Sequence, residues 1–176
     1  MIVNMYNWLN NFFNEIRLNP GFKSKFIIVL YRLSSLRYRN GLICKYLFLI
    51  FHIPYFILVD FIMGVEIKAK TKIGWGLVIF HPVAIIINAD AKIGKGCILR
   101  HCVTIGNKFN KKTSEHTASP TIGDNVEFGA GCTVIGPITI GSSTTIGANV
   151  FLDYSVDCHS IVFPIRGVLR KNRLNL

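Results

Sequence analysis

Five histidines, at positions 52, 81, 101, 116 and 159, are the side chains of this 176-residue chain best suited to move a proton near neutral pH. A histidine in a cleft takes the proton from a hydroxyl and contributes about 10²–10⁴-fold to a rate, given an acid to hold its other ring nitrogen. His81 is the candidate base, because it sits beside Pro82 at a break in an otherwise regular pattern. Glu66 is the candidate acid. The plain alternative is a solvated histidine on an exposed face. His101 follows His81 by 20 residues, His116 lies in a polar stretch, His52 in an apolar one, and His159 beyond the last regular segment. Metal binding is the rival use of neighbouring histidines, but the spacing of His81, His101 and His116 builds no zinc triad, and no metal is expected. There is no nucleophile elbow, Walker loop or dinucleotide fingerprint.

The pattern that holds these residues has a period of six. Apolar side chains fall at Ile67, Ile73, Ile79, Ile87, Ile93, Leu99, Ile105, Ile122, Phe128, Val134, Ile140, Ile146 and Leu152, and glycine follows many of them, as at Gly74, Gly94, Gly123 and Gly141. This is the hexapeptide repeat of a parallel β-helix. Three hexapeptides close a triangular coil of about 18 residues, and coils stack because one alone cannot bury its aliphatic row. A β-sandwich would alternate with period two instead. The GxG triplets, such as Gly74–Gly76, belong to this repeat.

Two breaks interrupt the period. From Ile79 to Ile87 the step is eight residues, so two are inserted near His81 and Pro82. One coil plus that insertion spans 20 residues, which stacks His101 over His81. From Ile105 to Ile122 the step is 17, so eleven residues protrude as a basic and polar loop, about 107–119. Loops extruded from a solenoid often form its binding face.

The totals narrow the classes. One domain with a small appendage fits the length, and 51% hydrophobic residues supply a core. The formal charge of +11 comes without a helix-turn-helix, zinc module or aromatic RNA-binding signature, so no nucleic-acid partner is expected. Anionic small molecules such as a coenzyme, or an anionic membrane face, suit the charge better. The first residues lack the order of a cleavable leader, which points to the cytoplasm. Five cysteines without a CxxC pair fit that compartment; Cys97 and Cys132 occupy inward positions of the repeat, and Cys44, Cys102 and Cys158 have no zinc spacing.

Three divisions follow: a helical, apolar segment 1–64, a β-helix 65–157 and a basic tail 158–176. In the first, residues 7–19 read as a helix with Trp8, Phe12, Phe13 and Ile16 on one face, broken by Asn19-Pro20-Gly21. Residues 26–39 read as a second helix, apolar at Phe26, Ile27, Leu30, Leu33 and Leu36, with Arg32, Arg37 and Arg39 on its other side. Residues 42–63 are nearly all apolar, but Lys45, Pro54 and Asp60 keep the run short of a membrane span. Burial in an oligomer and a resting place on the inner membrane surface are the alternatives.

The segment GVEIKAKTKIGWGLVIFHPVAIIINADAKIGKGCILRHCVTIGNK, with SPTIGDNVEFGAGCTVIGPITIGSSTTIGANV after the loop, resembles the serine acetyltransferase branch of the hexapeptide acyltransferases. Within it, the chain looks most like short bacterial polysaccharide O-acetyltransferases of the colanic acid type. The resemblance implies a homotrimer of left-handed β-helices with active sites between subunits and acetyl-CoA as donor. It matches His81 to the catalytic base and Glu66 to its orienting acid, where serine acetyltransferases carry Asp. It matches Gly106, Asn107, Ala130 and Ala148 to coenzyme contacts. On the acceptor side, His101, His116 and Ser119 are the candidates; Ser119 stands where serine acetyltransferases have a histidine before Pro120. The helical segment is about half as long as theirs, a basic contact is missing at Thr145, and the usual GVPA turn reads PIRG. The first two departures favour a sugar hydroxyl of a surface polysaccharide or its precursor as acceptor, and the last two bear on coenzyme binding; the apolar, basic N-terminal segment suits peripheral contact at the inner membrane. Serine acetylation in cysteine biosynthesis is the alternative, and a non-catalytic solenoid scaffold the more distant one.

Overall fold

A computed structural model of the chain describes residues 2–36 and 50–164. Of the expectations above, those on Arg37, Arg39, Cys44, Lys45 and the tail from residue 165 lie outside the described residues.

Among the described residues there are sixteen short strands, fourteen of them in the body and two in a protruding hairpin. The first coil is β1 (Val65–Ile67), β2 (Lys72–Ile73) and β3 (Val78–Ile79); the second is β4 (Ile85–Ile87), β5 (Lys92–Ile93) and β6 (Ile98–Leu99). The third starts with β7 (Thr104–Gly106), sends out an arm carrying the hairpin β8 (Phe109–Asn110) and β9 (Glu115–His116), and resumes with β10 (Thr121–Ile122) and β11 (Glu127–Phe128). The fourth is β12 (Thr133–Ile135), β13 (Thr139–Ile140) and β14 (Thr145–Ile146), and the fifth has β15 (Phe151–Leu152) and β16 (Ile161–Val162). Like strands stack into three parallel sheets: β1-β4-β7-β12-β15, then β2-β5-β10-β13, then β3-β6-β11-β14-β16.

The register carries both breaks. Val65 pairs with Ile85, 20 residues on. Lys92 pairs with Thr121, 29 residues on, whereas Thr121 pairs with Thr139 at the regular 18. The stack also runs past residue 157: Thr145 pairs with Ile161 at a step of 16, so the fifth coil is two residues short. That contraction hides it from a period-six reading.

The aliphatic rows meet inside, where Ile79, Ile85, Leu99, Ile105, Phe128, Ile140 and Leu152 are wholly buried. At one corner the backbones come too close for a side chain: a Cβ on Gly74 would lie 2.6 Å from the Gly94 carbonyl carbon. Burial pushes the Cys97 thiol up to about 11 and the Cys132 thiol up to about 12.

Two helices, α1 (Ile2–Leu18) and α2 (Phe22–Ser35), lie across the open edge of the first coil, and a π-helical segment Tyr55–Ile62 packs beside α2 and β1. Gly64, at φ +63°, turns the chain into β1. The helices satisfy that edge with side chains. Glu15 accepts the Leu77 N–H at 2.8 Å; Asn19 accepts from the Ile79 N–H and donates to the Leu77 carbonyl, each at 2.9 Å. Ser24 donates to the Ile79 carbonyl at 2.7 Å, Tyr31 to Thr71 at 2.6 Å, and Tyr55 to Ile67. Arg32 donates to the carbonyls of Ile73 and Gly74, and its other two guanidinium hydrogen bonds grip the Glu15 carboxylate, at 2.6 and 2.7 Å. Burial pushes the Tyr31 phenol up to about 12, so it stays a donor.

Arg32 therefore corrects the sequence reading, which put it on the outer side of its helix. It is buried, because Glu15 and the coil edge offer it more than solvent does. The cap instead exposes Met5, Tyr6, Leu9 and Phe13. Among the described residues no helix is long and apolar enough to cross a membrane.

Two tests follow from this packing. Arg32→Met leaves Glu15 buried and unpaired, and should lower unfolding free energy by about 3–5 kcal/mol in urea titrations. Adding Glu15→Gln, which keeps an acceptor for the Leu77 N–H, should recover part of that loss. In peptide mapping after iodoacetamide at pH 8, Cys102 and Cys158 should be modified, whereas Cys97 and Cys132 should react only in denaturant.

Candidate active site

His81 sits on the corner between β3 and β4, on the inserted residues, with φ +51°. A non-glycine residue in that region is uncommon and is kept there only by its surroundings. The next coil supplies them: the Cys102 N–H donates to the Val83 carbonyl at 2.9 Å. The His81 ring meets the His101 ring edge-on, with centroids 6.3 Å apart, as the 20-residue register requires. Both rings are exposed.

Ala130 and Ala148 continue the same corner upward. The Gly131 N–H donates to the His101 carbonyl at 3.0 Å, and the Asn149 N–H to the Ala130 carbonyl at 2.9 Å. Small residues thus follow the two histidines along one edge of the β1-β4-β7-β12-β15 sheet.

A cavity of about 480 Å³ opens beside His81. Its second wall is the turn between the helices and the first turn of α2, including Phe22 and Lys23. No side chain caps that first turn. The periodicity gave no hint of this wall, because the cap meets the coil through contacts 55 to 62 residues apart in the chain.

Glu66 takes another position. It faces outward from β1 and pairs with Lys68 at 3.1 Å, and Lys68 in turn bonds Asp60 at 2.9 Å. The Asp60 hydrogen bond pushes the Lys68 ammonium pKa up, so the cation persists. The expected Glu66–His81 pair is not made within the protomer, because Lys68 is the nearer opposite charge. Glu66 does border a cavity with Val83 and Ala84, just beyond His81.

The remaining candidates gather at the other edge of that sheet. Gly106 and Asn107 share a cavity of about 310 Å³ with Glu66 and Lys68, and a Cβ on Gly106 would meet nothing within 4 Å. Ser119 donates to Asn88 Oδ1 at 3.0 Å, on the same edge. His116 is out on the arm, exposed, with its ring 5.3 Å from that of Phe109. A strap holds the arm's base: Lys108 passes over Gly136 and its ammonium reaches Asp153 at 2.7 Å. Among the described residues no group of three metal-ligating side chains comes together.

The fold and these residues have counterparts among known proteins. The family description "Bacterial transferase hexapeptide (six repeats)" matches residues 119–153. A serine acetyltransferase of Staphylococcus aureus is 37% identical over 111 residues, covering 63% of this chain and 51% of that protein. The solved structure of Entamoeba histolytica serine acetyltransferase isoform 3, in complex with cysteine, superposes with a TM-score of 0.66 at 30% identity, covering 88% of this chain and 52% of that one. Soybean serine acetyltransferase complexed with serine gives a TM-score of 0.64 at 26% identity, over 83% of this chain and 57% of that one. The chain spans about half the length of these relatives. With its period-six core and three-sided parallel stack, the chain has the fold of a hexapeptide-repeat β-helix and is similar to the transferases built on it.

Proposed function

We propose that this chain is an acetyl-CoA-dependent O-acetyltransferase with His81 as general base. The observation that carries the reading is the strained corner that sets His81 beside His101 at the mouth of a cavity, on a scaffold similar to serine acetyltransferases. In the reaction, His81 takes the proton of the acceptor hydroxyl as its oxygen attacks the thioester carbonyl. The carbon–sulfur bond then breaks, and the imidazolium returns its proton to the departing thiolate. Glu66 orients the imidazole once its carboxylate turns from Lys68.

The coenzyme residues lie on both edges of one sheet, Ala130 and Ala148 on one, Gly106 and Asn107 on the other. A second copy packed against that sheet would enclose a site between them, and a homotrimer repeats this three times.

Serine stands first as acceptor, because the relatives and solved structures are serine acetyltransferases, one of them complexed with serine. The second reading, a saccharide hydroxyl, is favoured by Ser119, which bonds Asn88 and offers the site no imidazole. His101 and His116 remain acceptor-side candidates in either case.

His81→Ala should cut kcat by about 10²–10⁴-fold in a thiol-release assay with unchanged acetyl-CoA binding by calorimetry. Full activity in that variant would remove the general-base role, and absence of coenzyme binding in the parent protein would leave the scaffold reading. Turnover of free L-serine against a panel of mono- and oligosaccharides decides the acceptor. We expect serine to be acetylated; a saccharide acetylated while serine is ignored would reverse the order.

A further inference from the structure

The cavity beside His81 has a one-sided charge. Phe22, Phe80, Pro82 and Val83 give it apolar walls, and Lys23 is the one cation among its lining residues, with no carboxylate there. Lys23 is half-buried and takes part in none of the ion pairs among the described residues. Ser24, the neighbouring polar residue, is committed to the Ile79 carbonyl. An ammonium drawn into an apolar concavity loses hydration, and a bound anion offsets that cost.

We propose that Lys23 is the acceptor-selecting residue of this cavity, and that the acceptor it selects carries a carboxylate. The proposal rests on the reading of His81 as the base and deepens it. Two ligands in such a reaction bring negative charge, the acceptor's carboxylate and the coenzyme's phosphates. The acceptor is favoured because its hydroxyl must reach His81, which lines the same cavity, whereas Ala130 and Ala148 do not line it. The cap thereby acquires a second task. The β-helix supplies the proton-transfer group, and the first turn of α2 supplies discrimination.

The test uses the full chain and two pairs of acceptors that differ in the carboxylate: L-serine with L-serinamide, and methyl glucuronide with methyl glucoside. The parent protein should favour the carboxylate member of whichever pair it acetylates. Lys23→Gln should raise KM for that acceptor about tenfold or more, the scale of a hydrogen bond to a charged group. KM for acetyl-CoA, kcat and the thermal midpoint should move little, and Lys23→Arg should restore most of the affinity. A preference for the neutral members, or a preference that survives Lys23→Gln, overturns the proposal. So does a rise in KM for acetyl-CoA alone, which would assign Lys23 to the coenzyme's phosphates. Calorimetry separates this from failure of the transferase reading. Binding of L-serine or methyl glucuronide that Lys23→Gln abolishes, without turnover, sustains the role of Lys23 while the activity falls. No binding and no turnover in the parent protein overturns both.

Discussion

A stack of parallel coils has an open end, and the backbone groups of the first coil need partners that no further coil supplies. In this molecule the partners are side chains. Glu15, Asn19, Ser24, Tyr31, Arg32 and Tyr55 read the outward N–H and carbonyl groups from Ile67 to Ile79 almost group by group. The Glu15–Arg32 pair is central to that arrangement. A buried ion pair on its own adds little net stability, since desolvation cancels most of the attraction. Here each partner also serves the backbone, the carboxylate as acceptor and the guanidinium as donor, so neither charge is idle.

The same contacts that close the end also build the site. Asn19 and Ser24 bond to Leu77 and Ile79, directly before the corner that carries His81. The turn between the helices is therefore fixed against that corner, and the cavity wall it forms is as well placed as the strand beneath it. On the other side, the inserted residues hold His81 at positive φ while the coil above ties down Val83. Preorganisation of this kind comes from rigid elements on both flanks.

The architecture was legible because a period of six has one physical solution, and register arithmetic on the first of its two breaks puts His101 beside His81. What stayed hidden depended on contacts across the chain. Arg32 looked like an outer residue because helical periodicity records only neighbours on the same helix, while its partners are 17 to 42 residues away. Glu66 was placed with His81 by motif, but the choice between imidazole and ammonium is made by Lys68, two residues on and on the same side of the strand. Lys23 carried no signal at all. Its meaning arises only when the helical turn meets the inserted corner.

In a solenoid each coil normally senses only the coils beside it, so disturbance at one end dies out along the stack. The strap from Lys108 to Asp153 departs from that rule, for it joins the arm of the third coil to the fifth and runs over Gly136 of the fourth. As an exposed ion pair it adds little to stability. Its effect is on connection: it ties the arm to the fifth coil along a route outside the core, and salt that screens the pair loosens that tie.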